Sequence, residues 1–365
     1  MNYPSNKLLT SKIQEIRHEH LAQISAIHNP KIWSSVSENL EHVTVTIVIP
    51  SRGCSWALSE SGGCSVCGYV NDSSRERDVP VDTIIRRFSD LLKGTNYSKK
   101  IEVQIFNSGS FFDEKDVSTE LRSKIIGFIT SIPEIFKLAV ECRTEYILEE
   151  KNIIEETIKQ LKGVILEIGI GLESSNDTIL KDCWNKGTTL ENYKKSVKIL
   201  QTLGVKIKSY IFIKPPFLTE RDAIRDTVLT ISEVAQIGTD VISINPCNVQ
   251  NGTLVNDLFR QNRYRPPWLW SVLHIIRAAA KIAPRTSIIC DPTAGGKHRG
   301  AHNCGKCDKK VLPLLTKAIN KEELPSDLSK ICSCYNKWEI IITTPWEILR
   351  TRNISKLQRL SPLRE

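Results

Sequence analysis

Apolar residues recur along the chain with two periods, and these periods alternate between about residue 42 and residue 283. Alternating or β-branched apolar stretches predict strands, whereas apolar residues three or four positions apart predict helices with one buried face. The predicted strands are 42–50, 101–106, 136–142, 163–171, 205–213 and 240–245. The predicted helices are 81–92, 117–130, 146–161, 190–203, 219–235 and 267–283. Strands alternating with helices in this way predict an α/β fold with a parallel sheet, either an open doubly wound sheet or a partial barrel.

The segments on either side of this alternation follow other patterns. The first forty residues are predicted to be helical and partly polar, up to about Glu41. From about Thr286 the alternation stops, residues 290–338 are rich in Gly, Lys, His and Cys, and the tail from Glu347 is basic. We therefore expect three parts: an N-terminal helical extension (1–41), the α/β domain (42–285) and a cysteine-rich, metal-binding and basic C-terminal subdomain (286–365).

Composition and charge narrow the class of protein. Of 365 residues, 40% are apolar and 25% charged, as is ordinary for a globular protein. No stretch approaches the roughly 18 apolar residues that cross a membrane, and the N-terminus lacks the apolar run of a secretory signal. These features predict a cytoplasmic protein with no membrane partner. The formal charge of +9 suits a polyanionic partner, although a generally basic proteome would give the same value.

Three of the 11 cysteines lie on one loop rich in glycine and serine, which follows the first predicted strand. This cysteine loop spans residues 51–72 and contains Cys54, Cys64 and Cys67. Structural zinc takes four protein ligands, so three thiolates with no close fourth favour a [4Fe-4S] cluster with one open iron. Such an iron can bind S-adenosylmethionine (SAM), and one electron from the cluster then cleaves the sulfonium to a 5′-deoxyadenosyl radical. The alternative is a zinc site completed by a distant residue.

Polar residues follow the predicted strands at their carboxyl ends, where parallel sheets bind ligands. They are Asn107, Ser108 and Gly109 after the second strand, Glu141 and Arg143 after the third, Glu173 and Ser174 after the fourth, and Asn248 and Gln250 after the sixth. Carboxylates can hold an ammonium group or ribose hydroxyls, and arginine can hold a carboxylate through two hydrogen bonds. An ion-pair network that closes the sheet is the alternative for Glu141, Arg143 and Glu173. Tyr69 is expected either beside an adenine ring or as a plain core aromatic.

Longer segments around these residues resemble a known superfamily. A three-cysteine loop after the first strand of a six-fold βα repeat resembles the radical SAM superfamily. Within that superfamily, the chain resembles the subgroup that contains the radical domain of the Elongator catalytic subunit. The resemblance lies in three features: the nine-residue gap between Cys54 and Cys64, the segment Val140–Glu145 and the segment Leu166–Ser174. Three further segments are similar to RaSEA, the family of archaeosine-synthase radical proteins: Ser51–Tyr69, Asn245–Thr253 and Arg299–Asp308.

The resemblance implies a fold, cofactors and a reaction. The fold would be a partial (β/α)6 radical SAM barrel holding a [4Fe-4S] cluster and SAM, with Ser108 and Gly109 near the methionyl amine. The other implied SAM-binding residues are Tyr69, Glu141, Arg143, Glu173 and Gln250. In that family a partner transferase attaches lysine to the nitrile carbon of 7-cyano-7-deazaguanine in tRNA. The radical protein, a lyase-type enzyme, then breaks a carbon–nitrogen bond of the lysine part and leaves archaeosine.

The sequence is also compatible with other reactions, and it does not identify the electron donor. An unactivated alkyl carbon–nitrogen bond offers no good leaving group for acid–base catalysis, so radical chemistry suits it. tRNA and a partner lysine transferase are the implied partners, and the electron donor is unknown. Radical chemistry on another tRNA nucleoside or on a small molecule is one alternative. A non-catalytic, zinc-dependent RNA-binding protein is the other.

A second group of cysteines lies near the C-terminus. This C-terminal cysteine cluster consists of Cys304, Cys307, Cys332 and Cys334. Its two pairs lie about 24 residues apart, which is close to zinc-ribbon spacing and predicts structural zinc. A second iron–sulfur cluster is the main alternative. Cys290, His298 or His302 could replace one of the four ligands.

Basic and aromatic residues surround this cluster. We call five of the cations the basic face: Lys297, Arg299, Lys306, Lys309 and Lys310. They are opposed only by Asp308 in the sequence and predict a phosphate-binding surface, unless they are simply solvated. Four residues could stack a flipped base, although helical spacing favours core packing of the two tryptophans: Tyr264, Arg265, Trp268 and Trp270. Three further cysteines are expected to pack as small apolar residues: Cys142, Cys183 and Cys247.

Overall fold

One eight-stranded sheet organises the computed structural model, which describes residues 6–24, 32–39, 41–75, 80–94 and 98–344. Its strands are β1 (Trp33–Glu38), β2 (His42–Val48), β3 (Lys100–Phe106), β4 (Ile135–Glu141), β5 (Ile165–Glu173), β6 (Lys206–Ile213), β7 (Val241–Pro246) and β8 (Ser287–Ile289). Each strand pairs with the next one along the chain. β1 is antiparallel to β2, and every later pair is parallel. This order confirms the predicted α/β partial barrel.

Helices precede the sheet, connect its parallel strands and follow it. They are α1 (Lys7–Gln23), α2 (Ser55–Leu58), α3 (Val81–Lys93), α4 (Thr119–Thr130), α5 (Thr144–Glu149), α6 (Lys151–Gln160), α7 (Asp177–Ile179), α8 (Leu190–Thr202), α9 (Glu220–Ile237), α10 (Leu254–Arg260), α11 (Leu269–Ile282), α12 (Asp308–Ile319) and α13 (Cys334–Thr343). A π-helical turn, Leu180–Trp184, continues α7. α9 shows how local sequence sets these bounds, because the Thr219 side chain caps its start and Gly238 ends it with φ 95°.

The two faces of the sheet differ because successive strand residues point to opposite sides. On β3, Ile101, Val103 and Ile105 are fully buried in the apolar core, whereas Glu102 and Gln104 alternate with them. Charged residues of neighbouring strands meet on the Glu102 side, near the amino ends of the strands. This polar face is therefore the inside of the partial barrel.

A buried ion-pair network fills the amino end of this interior. The Nζ atom of Lys137 lies 3.0 Å from Glu102 and 2.9 Å from Glu167, and Lys208 lies 2.6 Å from Glu167. Burial would raise the pKa of Glu167, but the two lysines together hold it below its ordinary value. Removing one partner of a buried ion pair typically costs about 3–5 kcal/mol, so the charges are mutually dependent. The network closes this end and leaves the carboxyl ends of the strands for ligands.

The segments that flank the barrel differ from their predicted structure. The first forty residues are not helical throughout, because β1 follows α1 and adds an antiparallel strand to the edge of β2. β8 pairs with β7 beyond the predicted boundary at residues 285–286, and the division into three parts stays a prediction. The basic tail from Glu347 lies outside the described residues. None of the described helices is long and apolar enough to span a membrane.

Candidate active site

A cavity of about 250 Å³ opens at the carboxyl ends of the strands. All the residues predicted to hold the cluster and SAM line it: Cys54, Cys64, Cys67, Tyr69, Ser108, Gly109, Glu141, Arg143, Glu173 and Gln250. Asn248 also lines it, whereas Asn107 and Ser174 do not. The strand-end pattern therefore located the cavity, and the roles of these residues stay predictions.

The cysteine loop places its three thiols on one side of this cavity. Cys54 stands at the start of α2, where its carbonyl accepts from the Ala57 backbone at 2.9 Å. Cys64 and Cys67 face each other across a turn closed by a backbone hydrogen bond of 3.3 Å. Among the described residues, these three sulfurs do not form a group compact enough for a single ion. Three separated thiols around an open space suit a multi-iron cluster better than one zinc ion.

Burial keeps the thiols of Cys54 and Cys67 protonated on their own. It raises the pKa of Cys54, and it raises the pKa of Cys67 to about 12, with the neighbouring Cys64 acting in the same direction. A metal displaces the proton of a coordinating thiol, so cluster assembly here would release protons.

Side chains from other elements hold the cysteine loop in place. The Gln250 amide oxygen accepts from the Gly68 backbone at 2.5 Å. Asp116 accepts from the Gly53 backbone at 2.9 Å and also from the Asn107 side chain. Asn107 thus supports the loop from behind, which explains why it does not line the cavity.

Gly109 makes close packing against the loop possible. A Cβ atom at this position would lie 2.8 Å from the Cα atom of Cys54, a distance that real side chains do not tolerate. Only glycine lets the loop after β3 approach Cys54 so closely.

Arg143 carries a positive charge on the cavity wall. Its guanidinium lies 5.2 Å from the Trp56 ring centroid and donates to the Lys186 carbonyl at 2.8 Å and to Glu145. Burial alone would lower the pKa of Arg143, but Glu145 and the thiols of the cysteine loop together hold it above its ordinary value. Arg143 is therefore a fixed cation paired with a carboxylate.

Glu173 and Lys186 form a second ion pair on the wall, with Nζ and Oε1 2.6 Å apart. Glu173 adopts φ 72°, a strained conformation for a residue with a side chain, at an irregularity in the pairing of β5. Burial would lower the pKa of Lys186, but Glu173 raises it above its ordinary value. Glu173 thus forms an ion pair, as the second of its two sequence-based interpretations had it, and its carboxylate also faces the cavity.

Several lining residues were not predicted from the sequence. They are Trp184, Lys186, Tyr210, Phe212, Asp291 and Thr293. Tyr210 hydrogen-bonds to Glu141, whose pKa burial nevertheless raises. The period-2 alternation of β6 placed Tyr210 inside the barrel and could have found it. Lys186 lies in the turn after the π-helical turn, and Asp291 follows the short β8, a strand that the sequence pattern did not predict.

The C-terminal cysteine cluster forms a compact four-sulfur site. Its four sulfurs all lie within 4.8 Å of one another. Three of the sulfur–sulfur distances are 3.9 Å (Cys304–Cys307), 3.6 Å (Cys304–Cys332) and 3.5 Å (Cys307–Cys334). Tetrahedral zinc with bonds of about 2.3 Å separates its sulfurs by about 3.8 Å, so this donor set fits one such ion. Both pairs lead into helices, α12 and α13, rather than into the hairpins of a zinc ribbon.

Two hydrogen-bond donors, one from the barrel helix α11 and one from the C-terminal segment, lie beside these sulfurs. The Trp270 indole nitrogen donates to Cys334 at 3.3 Å and the Asn303 amide to Cys307 at 3.5 Å. Trp270 is 1% exposed, so it packs in the core, as its spacing favoured, and cannot stack a base. The compact site does not include the candidate replacement ligands Cys290, His298 and His302.

The remaining aromatic and cysteine residues are mostly structural. Tyr264 is buried and donates to the Lys214 carbonyl at 2.7 Å. Arg265 stacks on Trp268 at 4.1 Å. The three cysteines that were expected to pack as small apolar residues are all buried: Cys142, Cys183 and Cys247. Cys142 also lines the cavity.

Comparison with known proteins now identifies the family. No protein-family model matches the chain. Archaeosine synthase subunit beta of Methanosarcina acetivorans is 35% identical over 92% of this chain and 96% of its own length. The protein of that name from Thermococcus kodakarensis is 31% identical over 81% of this chain and 90% of its own length. The Elp3 structure of Methanocaldococcus infernus, 18% identical, superposes with a TM-score of 0.48 over 65% of this chain and 57% of that one. The resemblance drawn from the cysteine loop is thus confirmed: the chain belongs to the archaeosine synthase subunit beta family.

Proposed function

We propose that this chain is a radical SAM lyase of tRNA modification. Its reaction would cleave a carbon–nitrogen bond of the lysine adduct on 7-cyano-7-deazaguanine in tRNA and leave archaeosine. One observation carries the proposal: three thiols of one loop line a charged cavity at the carboxyl ends of a partial barrel, in a family named for archaeosine synthesis.

The cavity residues suit the two cofactors. Cys54, Cys64 and Cys67 would hold a [4Fe-4S] cluster, which when bound supplies the electron that cleaves the SAM sulfonium. Glu141 and Glu173 offer oxygens for the amino group and ribose of SAM. The ion pairs made by Arg143 and Lys186 fix the wall before any ligand enters, so binding requires little reorganisation.

Asp291 suits the lysine part of the substrate. It follows β8, is exposed and lines the cavity. Within the described part of the chain, its carboxylate has no hydrogen bond or ion pair, unlike the paired carboxylates of Glu145 and Glu173. A lysine adduct carries an ammonium group that such a free carboxylate can bind.

The basic face suits the phosphates of tRNA. Its five cations are exposed, and none of them makes an ion pair with a described residue. Thr293 lines the cavity, and Lys297 is four residues further, a reach of at most about 14 Å. The C-terminal cysteine cluster contains Cys304 and Cys307, which fix the backbone on either side of Lys306. Lys297, at least, is therefore close enough to meet a phosphate that flanks a nucleoside in the cavity.

Neutralising the basic face is expected to weaken tRNA binding and its dependence on salt. Each lost phosphate contact lowers the slope of log K against log salt by about 0.7–0.9. The triple variant Lys306→Gln, Lys309→Gln and Lys310→Gln should therefore lower the slope by about 2 and weaken binding at least about tenfold. Fluorescence anisotropy of labelled tRNA, measured from about 50 to 200 mM salt, provides both values.

A matched triple variant controls for the loss of three charges. Lys93, Lys162 and Lys198 are exposed on or just after the helices α3, α6 and α8. All three lie toward the carboxyl ends of helices that lead into the next strand, and so on the side of the barrel away from the cavity. Their replacement by glutamine should leave the slope nearly unchanged. An equal loss in both triple variants would show that binding depends only on net charge.

The proposed reaction is tested on tRNA that carries the lysine adduct. Anaerobically reconstituted protein, SAM and dithionite should yield archaeosine in tRNA, together with 5′-deoxyadenosine, in nucleoside mass spectrometry. Formation of 5′-deoxyadenosine without archaeosine would favour another nucleoside or a small-molecule substrate. Salt-dependent tRNA binding without any 5′-deoxyadenosine would favour the non-catalytic RNA-binding protein. Adding the partner lysine transferase with unmodified precursor tRNA should restore archaeosine formation in one mixture.

A further inference from the structure

We propose that Arg17, on α1, is a positioning residue that holds an unpaired positive charge behind the cysteine loop and raises the reduction potential of its cluster. The inference rests on the proposed [4Fe-4S] cluster and concerns how this chain tunes it. It also gives α1 a role beyond that of an N-terminal extension.

Arg17 binds the backbone of the cysteine loop directly. Its Nε atom donates to the Gly62 carbonyl at 3.1 Å, and its Nη2 atom donates to the Cys67 carbonyl at 2.6 Å and the Cys64 carbonyl at 3.5 Å. Two of these three acceptors belong to proposed cluster ligands. Only 3% of Arg17 is exposed, so the guanidinium lies inside the protein against the loop.

No described carboxylate neutralises this charge. Arg17 forms no ion pair with any residue in the described part of the chain, and its buried Nη1 atom has no hydrogen-bond partner there. Burial lowers the pKa of Arg17, and the ionisable groups that act against burial are Cys67, Cys64 and Cys54. A buried charge without a partner is costly, and three thiolates bound to iron would provide the missing counter-charge.

The other cations near the thiols differ in this respect. Arg143 is paired with Glu145, and Lys186 is paired with Glu173. Each of these pairs is close to neutral overall, so its effect on a nearby charge falls off quickly. Arg17, by contrast, is a buried cation that touches the cysteine loop and has no carboxylate partner among the described residues.

α1 is held against the loop by contacts about two turns and one turn before Arg17. Thr10 Oγ1 and Asn185 Oδ1 are 2.9 Å apart, and the Asn185 amide in turn donates to the Ser61 and Gly63 carbonyls at 2.8 and 2.9 Å. At Gly62, a Cβ atom would lie 2.8 Å from the backbone of Gln14, so helix and loop are in backbone contact. These contacts therefore keep the backbone of α1, and with it Arg17, next to the loop.

The expected effect follows from electrostatics. One-electron reduction by a low-potential donor adds one negative charge beside Arg17. A nearby positive charge in a medium of low dielectric constant favours the more negative state and so raises the potential. Removing the positive charge should therefore make the cluster harder to reduce. Replacing the guanidinium by another cation of different shape should not.

Three arginine variants separate charge from hydrogen bonding. Arg17→Gln and Arg17→Met remove the charge, and Arg17→Lys keeps it but loses the forked donor. In redox titrations with dithionite and mediators, followed by electron paramagnetic resonance, Arg17→Gln should lower the midpoint potential by about 59 mV or more, a tenfold loss of reduced cluster at fixed potential. Arg17→Lys should stay within about 20 mV of the wild type.

Arg122→Gln is the matched control. Arg122 is also buried and donates to two loop carbonyls, those of Phe111 and Val117, each at 3.1 Å. Its loss should reduce stability without shifting the potential.

Each outcome decides between charge and structure. An unchanged potential in iron-loaded Arg17→Gln overturns the inference. If Arg17→Gln and Arg17→Met stay folded but take up no iron, the result for Arg17→Lys decides. Iron uptake by Arg17→Lys supports the need for a positive charge, whereas failure of Arg17→Lys to take up iron overturns the inference. Absence of a cluster in the wild-type protein would instead contradict the proposed function.

Discussion

Replacement of Cys64 by alanine is expected to abolish both iron binding at the cysteine loop and the formation of 5′-deoxyadenosine. Three thiols of this loop line the cavity, and the loss of one would leave two ligands for a cluster that needs three. Reconstituted anaerobically, the wild-type protein should hold iron with the broad visible absorption of thiolate-to-iron charge transfer. The variant should show neither the absorption nor any cleavage of SAM above background in mass spectrometry.

Cys142→Ala is the control for this experiment. Cys142 lines the same cavity and is 3% exposed, but it follows β4 rather than lying on the cysteine loop. Its replacement should leave the iron content and the cleavage of SAM close to the wild-type values. A wild-type protein that binds only zinc at the loop, or a Cys64→Ala variant that keeps its cluster, would contradict the assignment.

The barrel could be predicted because its pattern is strong and repeated. Each strand from β2 to β7 has an apolar face toward the helices, and each is followed by a helix with its own apolar stripe. β1 could not be predicted in this way, because five of its six residues are exposed and no buried face marks it. It forms because the edge of β2 offers hydrogen bonds, which is a tertiary effect that local pattern does not encode.

The site was predictable as far as strand ends mark it. Glu141 and Glu173 are the last residues of β4 and β5, Arg143 follows β4 closely, and all three line the cavity. Ser174 follows the same strand as Glu173 but points away, and its hydroxyl donates to Asp226 at 2.7 Å. A shift of one position reverses the side to which a residue points, so a strand-end pattern alone could not separate these neighbours.

Contacts between residues from distant parts of the chain could not be predicted from the periodic pattern of apolar residues. Arg17 lies on a helix with a weakly amphipathic sequence, and nothing near it in the sequence suggests contact with a loop 45 residues away. Lys186 pairs with Glu173 across a turn whose left-handed residue, Asn185, is recognisable only in the structure. Such contacts depend on how elements pack, which periodicity does not specify.

Replacement of Cys334 by alanine is expected to remove the metal of the C-terminal cysteine cluster and to loosen the helices around it. Cys334 is 4% exposed at the start of α13. Its sulfur accepts a hydrogen bond from the buried indole of Trp270 on α11 and lies 3.5 Å from the sulfur of Cys307. The cluster therefore links α12, α13 and α11, and binding of a structural metal contributes directly to folding stability. We expect a loss of about 3 kcal/mol or more, and hence a fall in Tm of at least about 6 °C.

The measurement is best made in the Cys64→Ala background, where the cysteine loop no longer binds iron. One metal per chain should then remain, and elemental analysis would show whether it is zinc or iron. Adding Cys334→Ala should remove it, lower Tm in calorimetry and expose residues 290–344 to limited proteolysis. Cys290→Ala is the matched control, because Cys290 precedes the same segment but lies outside the four-sulfur group. Retention of one metal equivalent after Cys334→Ala, or its loss after Cys290→Ala, would show that a different set of ligands binds it.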